Sequence, residues 1–199
     1  MRPYYEQDGI VIYHGDCRDV LPHIQGDIVV TDPPYGIGVA GWDVLVPVDS
    51  WLPLARRIGP VVLFCGVKGC YDYPRPDWIG AWMRLASTQR MGALRGFNNW
   101  EPILMYGLGS LSNDVISLPN IPDVDAREHP SPKPRRLIAT LLTRLPVGSV
   151  IDPFAGSGTT LVEAKRLGRR AIGIELEEEY CEMAAARLAQ GALFGETTA

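Results

Sequence analysis

The sequence predicts an α/β protein with a mostly parallel sheet, because apolar runs of strand length alternate with helical patterns along its 199 residues. Strands buried on both faces of a parallel sheet are typically near-continuous apolar runs, such as VVLFC. Strands are predicted at Ile10–His14, Asp27–Thr31, Val61–Cys65, Pro102–Tyr106, Ser149–Asp152 and Arg170–Glu175. Helices are predicted at Arg18–His23, Ser50–Arg57, Asp77–Leu85, Pro134–Leu145, Thr159–Leu167 and Glu177–Ala189.

Residues at the ends of these elements support several boundaries. Asp77 suits a helix N-cap, Pro134 suits a first helical turn, and Gly168 suits a C-terminal cap. Stretches without a regular pattern are predicted to be loops or a frayed end, namely Pro33–Asp49, Gly107–Glu128 and Gln190–Ala199.

Composition limits the class of protein. With 46% hydrophobic and 21% charged residues the chain is typical of a globular protein, and its length predicts one domain over residues 1–199 with a variable region at 66–128. The sequence has no apolar run of about 18 residues that would indicate a membrane span. Its first residues lack a secretory pattern, so a cytoplasmic protein is expected. The cysteines and histidines are dispersed, which argues against a metal site.

Charge is distributed unevenly along the chain. The formal net charge of −4 does not by itself indicate binding to nucleic acid. Between Asp77 and Glu101, however, acidic residues are absent, and this stretch contains Arg84, Arg90 and Arg95 among several aromatic residues. These arginines are predicted to contact a phosphate backbone, although a solvated helix surface would have the same composition.

A glycine-rich turn follows the strand predicted at Ser149–Asp152 and precedes a helix. Gly156 and Gly158 in this turn have no Cβ, so the backbone can approach a nucleoside closely. The next strand, Arg170–Glu175, ends in a carboxylate that can accept hydrogen bonds from ribose hydroxyls. The turn lacks the lysine of a P-loop. The arrangement predicts a nucleoside cofactor, with a purely structural turn as the alternative.

A second strand, Asp27–Thr31, runs directly into Asp32-Pro33-Pro34-Tyr35. A carboxylate at the carboxyl end of a parallel strand projects into the crevice where such sheets bind ligands. If Asp32 and the Pro33 carbonyl each accept an N–H from an exocyclic amine, its lone pair is freed and its developing positive charge is stabilised. Tyr35 offers a flat face to a base taken out of the stack. A proline turn with a surface aspartate is the alternative.

Taken together, the motifs DPPY, DPFAGSGTT and RRAIGIELEEEY resemble those of the amino-methylating DNA methyltransferases. Asp32 precedes Asp152 by 120 positions, an order similar to the permuted, beta-type branch of that family. The resemblance implies a Rossmann-like fold, S-adenosylmethionine as cofactor, DNA as partner, and methyl transfer to N6 of adenine. N4 of cytosine is the alternative target. A non-catalytic, cofactor-binding module associated with DNA is the alternative from another class.

The resemblance also implies roles for individual residues. The catalytic string corresponds to Asp32, Pro33, Pro34 and Tyr35. The implied cofactor contacts around the glycine turn and the following strand are Asp152, Phe154, Ala155, Gly156, Ser157, Gly158, Thr159, Glu175 and Leu176.

Two further motifs match the same family. HPSPKP, at residues 129–134, is similar to its HP-x-x-KP motif, and Lys133 at a helix start could meet a cofactor carboxylate. Gly15-Asp16-Cys17 is similar to a GD dipeptide that meets the cofactor adenine. Asp16 and Cys17 are therefore assigned to the cofactor, and capping of a helix by Asp16 is compatible with that role.

The predicted recognition region is short. Only 21 residues, Leu108–Glu128, separate the EPILMYG strand from HPSPKP, and they contain no basic cluster. Reading several base pairs needs side chains placed along a groove, usually by a folded element. The sequence therefore predicts relaxed specificity, with Asn98 and Asn99 as further candidate base readers. A homodimer or a separate subunit could supply recognition instead, and no nuclease motif occurs in this chain.

Overall fold

One nine-stranded sheet runs through the part of the chain that the computed structural model describes, residues 1–36, 41, 43–85, 99–109, 111, 113–119 and 133–193. Its strands are β1 Tyr5–Gln7, β2 Ile10–His14, β3 Ile28–Thr31, β4 Val61–Phe64, β5 Trp78–Leu85, β6 Trp100–Tyr106, β7 Val115–Pro119, β8 Val150–Asp152 and β9 Ala171–Glu175. The helices are α1 Cys17–Val20, α2 Val48–Ile58, α3 Arg135–Arg144, α4 Thr159–Arg166 and α5 Glu178–Leu193.

The strands stand in the order β1-β2-β9-β8-β3-β4-β6-β5-β7. The central strands β2, β9, β8, β3 and β4 are mutually parallel. Strand β6 is antiparallel to both of its neighbours, β4 and β5. This architecture confirms the predicted α/β class with a mostly parallel sheet.

After the neighbouring strands β8 and β3, the chain continues toward opposite sides of the sheet. From β8 it passes through α4 to β9, whereas from β3 it passes through α2 to β4 on the other side. Where two such crossovers diverge, the carboxyl ends of the strands leave a crevice, which is where open α/β sheets bind ligands. Asp152 ends β8, and Asp32 follows the end of β3. The topology therefore brings the glycine-rich turn and the DPPY motif to one place.

Helices cover both faces of the sheet, and successive residues of the central strands pack against helices on opposite faces. On β3, Val30 packs with the helices α3, α4 and α5, whereas Val29 packs with α1 and α2. Every residue of β3 and β4 is buried, which accounts for their continuous apolar sequences. The crevice is thus held by strands that are fixed from both faces.

The helix predicted at Asp77–Leu85 is wrong, because this segment forms strand β5 between β6 and β7. Gly80 lies where a Cβ would meet the carbonyl oxygen of Asp114 at 2.7 Å, so close approach to the neighbouring chain requires glycine here. Asp77 does not cap a helix; its carboxylate accepts from the Gly107 N–H at 2.7 Å. The aromatic residues of this segment pack well in a sheet, and pairing on both sides decides the outcome.

Smaller differences occur elsewhere. The region Gly107–Glu128, predicted to be irregular, contains strand β7, and strand β1 was not predicted. Pro134 is the N-cap of α3 rather than part of its first turn. Gly168 has a left-handed φ of 68° and its N–H donates to the Lys165 carbonyl, which confirms the predicted cap. Among the described residues, no helix has the length and apolar character needed to cross a membrane.

Candidate active site

A cavity of about 450 Å³ opens at the carboxyl ends of β8 and β3. Its wall is formed by segments 15–18, 31–35, 43–47, 152–157 and 175–177, together with several single residues. This volume is within the range of small-molecule sites. The segments come from five separate strand ends and loops, so the sheet topology assembles a site that is scattered in the sequence.

Most of the residues predicted to bind or react lie in this wall. All four residues of the catalytic string line it: Asp32, Pro33, Pro34 and Tyr35. Of the predicted cofactor contacts, those lining the cavity are Asp16, Cys17, Lys133, Asp152, Phe154, Ala155, Gly156, Ser157, Thr159, Glu175 and Leu176. Gly158 lies behind the wall, and a Cβ there would meet the Ala184 Cβ at 2.7 Å. Its lack of a side chain allows the turn to pack against α5.

The carboxylate of Asp152 is buried at the end of β8. It accepts hydrogen bonds from the Thr31 hydroxyl at 2.7 Å and from the Phe154 N–H at 3.1 Å. Burial raises the pKa of Asp152 to about 6 even though these donors oppose the shift. A buried acid with a raised pKa favours a cationic ligand, since a nearby positive charge would stabilise its ionised form. The Thr31 contact also joins the ends of β8 and β3.

Glu175, at the end of β9, is oriented by the glycine turn. Its carboxylate accepts from the Gly156 N–H at 2.7 Å and from the Glu177 N–H at 2.9 Å. Burial raises the pKa of Glu175, and these backbone donors act in the opposite direction. Gly156 itself has a left-handed φ of 50°, which favours glycine. The acid and the turn therefore fix each other at one end of the cavity.

Asp16 caps α1, as the sequence allowed, by accepting from the Arg18 N–H at 2.9 Å. The Arg18 guanidinium also pairs with this carboxylate, and the hydrogen bond lowers the pKa of Asp16. Phe154 is held in place by an edge-to-face contact with Trp51 of α2, with ring centroids 5.1 Å apart. Trp51 was not among the predicted site residues.

Asp32 is the centre of a partly buried polar cluster at the end of β3. The Lys133 ammonium lies 2.7 Å from Asp32 Oδ2, and the Tyr35 hydroxyl lies 2.8 Å from Asp32 Oδ1. Lys133 was predicted to meet the cofactor; in the structure its Nζ contacts the catalytic string. Its place in the cavity wall leaves the predicted contact with a cofactor as a hypothesis.

Glu101 completes this cluster and was not predicted from the sequence. Its Oε1 lies 2.9 Å from Lys133 Nζ and 2.7 Å from the Tyr35 hydroxyl oxygen. The residue is 6% exposed and lies near the start of β6. The sequence feature that could have indicated Glu101 was the presence of a single acid in the apolar run WEPILMY. Recognising it required knowing that β6 is antiparallel, so that its start shares an edge with the end of β3.

Burial dominates the electrostatics of the cluster. It raises the pKa of Asp32; Lys133 lowers that pKa, and the negative charge of Glu101 raises it again. Burial also opposes the charge of Lys133, but Asp32 and Glu101 together raise the pKa of Lys133 above its ordinary value. Two carboxylates around one ammonium leave the cluster with an excess of negative charge, which suits a site where positive charge develops.

The predicted DNA contacts are described only in part. Arg84 lies near the carboxyl end of β5, half-buried, with its guanidinium 5.3 Å from the centroid of the Trp82 ring. Because β5 runs parallel to β4, this end belongs to the same sheet edge as the cavity. Asn99 is exposed at that edge. Arg90, Arg95 and Asn98 lie outside the described residues.

Comparison with known proteins gives consistent matches. A family model described as DNA methylase matches residues 77–186. The Type II methyltransferase M2.LlaDCHI of Lactococcus lactis subsp. cremoris is 26% identical over 98% of this chain and 94% of its own length.

Solved structures share the fold. M1.HpyAVI in complex with SAM is 24% identical, with a TM-score of 0.69 over 90% of this chain and 98% of that chain. The PvuII DNA methyltransferase, described as cytosine-N4-specific, is 16% identical, with a TM-score of 0.69 over 94% of this chain and 88% of that chain.

Proposed function

Since this chain belongs to the N6/N4 DNA methylase family, we propose that it transfers a methyl group from S-adenosylmethionine to the N6 amino group of adenine in DNA. Methyl transfer to an amino group of a DNA base is the activity of the family, and adenine is the specific part of the proposal. The observation that carries it is the juxtaposition of Asp32 and the glycine turn across β3 and β8. The hydrogen bond from Thr31 to Asp152, 2.7 Å long, links the two strand ends.

The cavity fits the cofactor in its size and in the charge of its wall. S-adenosylmethionine supplies an electrophilic methyl group on a positively charged sulfur. Asp152 is a buried acid of raised pKa, suited to the positive charge of this ligand. In the proposal Glu175 accepts hydrogen bonds from the ribose hydroxyls, and Asp16 accepts from the adenine amino group. Phe154 offers an apolar surface, which Trp51 keeps in orientation.

The catalytic string acts on the amine. In the proposed mechanism Asp32 and the Pro33 carbonyl each accept one N–H of the target amino group, so that its lone pair points away from the ring. Positive charge then develops on the nitrogen, and the fixed carboxylate stabilises it. The Tyr35 ring provides a stacking surface for the extruded base. Its hydroxyl, hydrogen-bonded within the cluster, holds that ring in one orientation.

N4 of cytosine is the second candidate target. The shared fold with the cytosine-N4-specific PvuII enzyme favours it, and both targets are exocyclic amines conjugated to a ring. The DPPY form of the catalytic string favours adenine, and the proposal of N6 of adenine as the target rests on this motif.

Identification of the modified nucleoside tests the proposal. The purified protein is incubated with S-adenosylmethionine and unmethylated DNA, and the DNA is digested to nucleosides for mass spectrometry. We expect N6-methyladenine, and the Asp32→Asn variant, purified in parallel, controls for host methylases. N4-methylcytosine as the product would replace the first candidate by the second. No methylated base with a folded protein would contradict the proposed activity.

The biological use that we propose is modification of a short DNA site. M2.LlaDCHI is named a Type II methyltransferase, and the corresponding role here would be to protect DNA from a nuclease carried by another polypeptide. The short segment before HPSPKP supports reading few base pairs. Mapping methylated positions on a long random substrate tests this, and a defined site of six or more base pairs would contradict the proposed relaxed specificity.

A further inference from the structure

Both carboxylate oxygens of Asp32 already have partners within the protein. Oδ1 accepts from the Tyr35 hydroxyl at 2.8 Å, and Oδ2 accepts from the Lys133 ammonium at 2.7 Å. A target amine that donates to Asp32 must therefore share its acceptor with two partly buried protein donors. Either donor, once released, needs another acceptor, because an unpaired polar group is costly where water is excluded.

Glu101 contacts the same two donors. Its Oε1 lies 2.9 Å from Lys133 Nζ and 2.7 Å from the Tyr35 hydroxyl oxygen. Tyr35 has one hydroxyl hydrogen, which can be donated to either carboxylate in turn. Lys133 has three N–H donors, and its acceptors are Asp32, Glu101 and the Tyr35 oxygen. Both donors can therefore stay hydrogen-bonded to Glu101 without a large movement when they release Asp32.

We propose that Glu101 is a positioning residue that retains Lys133 and Tyr35 when Asp32 turns to the target amino group. Glu101 acts through these two side chains and does not touch the base. It also keeps a second carboxylate beside Lys133, so that the positive charge of Lys133 is shared between Asp32 and Glu101. The inferred role of Glu101 rests on the proposed methyl transfer, whereas the contacts of Glu101 are observed within the protein itself.

The variant Glu101→Gln separates charge from shape. The amide oxygen can still accept from Lys133 and Tyr35, but the second negative charge is lost. We expect kcat to fall about 10- to 100-fold, the size of effect that misplacement in an active site produces, with the affinity for S-adenosylmethionine changed less than about twofold. The other charged or titratable groups around Asp32 include Lys133, Tyr35, Asp152 and Cys65, and the substitution leaves them in place.

The pH profile distinguishes positioning from damage to the fold. Glu101 raises the pKa of Asp32, so at saturating S-adenosylmethionine its removal should shift the acid limb of kcat/KM for DNA to lower pH while the maximum falls. Glu163→Gln is the matched control, because Glu163 is also a buried acid, paired with Arg135 and Arg166 outside the cavity wall. It should change the melting temperature without moving the acid limb.

A measurement without DNA or cofactor keeps this inference separate from the proposed function. Carboxyl-carbon NMR of the wild type and of Glu101→Gln follows the titration of Asp32 in the free protein. A lowered pKa of Asp32 in the variant, with a reduced kcat, supports the role of Glu101. An unchanged Asp32 titration, or an unchanged kcat, overturns it, whichever base the wild type methylates.

Discussion

The two halves of the cavity are built from contacts of different range. On the cofactor side, Asp152 accepts from the N–H two residues later and from the Thr31 hydroxyl of β3, and Glu175 accepts from the N–H groups of Glu177 and Gly156. On the target side, Asp32 is held by Lys133, 101 positions away, and Tyr35 contacts Glu101 across 66 positions. Backbone donors that are near in the chain therefore fix much of the cofactor side, whereas the target side depends mainly on side chains that the sheet brings together.

This difference predicts how substitutions behave. A change at Gly156 in the glycine turn should weaken cofactor binding without disturbing the Asp32 cluster. A substitution in the Asp32 cluster should instead also displace the hydrogen-bond partners of the altered side chain. The four members, Asp32, Tyr35, Glu101 and Lys133, share their donors and acceptors. Measuring binding and turnover separately tests whether the two halves are as independent as their contacts indicate.

The largest effect is expected for Asp32→Ala. Because Asp32 is assigned to the target amine, methyl transfer should fall by about 1000-fold or more. The affinity for S-adenosylmethionine, measured by calorimetry, should stay within about threefold, since Asp152 and Glu175 keep their local donors. A purified variant with near-normal turnover would refute the proposed role of Asp32. A parallel loss of cofactor binding would show that the two halves are coupled.

Gly156→Val should act on the cofactor side. The φ of Gly156 is 50°, where a branched residue is strained, and its backbone lines the cavity. Calorimetry should show S-adenosylmethionine binding weakened by about 100-fold. Gly168→Val is the matched control, because Gly168 has a φ of 68° and lies outside the cavity wall. The control should lose stability and keep its affinity; equal losses of affinity in both would remove Gly156 from the site.

Cofactor binding should depend on pH through Asp152. The pKa of this acid is about 6 in the free protein, so its carboxylate is ionised above that pH and protonated below it. A cationic ligand prefers the ionised form, and its dissociation constant should rise by up to about tenfold per pH unit as the pH falls below 6. Asp152→Asn should bind more weakly at neutral pH and lose this dependence. A wild-type dissociation constant that is flat between pH 5 and 7 would contradict the assignment.

The smallest effect is expected for Arg84→Ala. If Arg84 contacts a phosphate, its removal should weaken DNA binding by less than about tenfold, about equally across sequences, and reduce the salt slope by about one. Arg170→Ala is the control, because Arg170 is exposed just before β9, at the opposite edge of the sheet. Fluorescence anisotropy at several salt concentrations checks this prediction. Equal slopes for the two variants would exclude Arg84 from the DNA contacts.

Much of the fold follows from local sequence patterns. Strand β2 has the predicted bounds, and the bounds of the other predicted strands differ by one or two residues. Buried parallel strands are continuous apolar runs, which are easily distinguished from amphipathic helices. The segment at Trp78–Leu85 could not be assigned in this way. Its apolar residues fit a helix by spacing, and only β6 and β7 on either side make it a strand.

The sequence alone determined the motifs: the glycine turn with its acid, the DPPY string, and the family to which they point. These features are short segments whose chemistry depends on neighbouring residues and on backbone conformation, so they can be read without the fold. Only the tertiary structure decided that Lys133 meets Asp32, that Glu101 is a second acid in the site, and that Gly158 packs against α5. Those contacts join residues far apart in the chain, and strand order and direction, which no local pattern encodes, determine which of them meet.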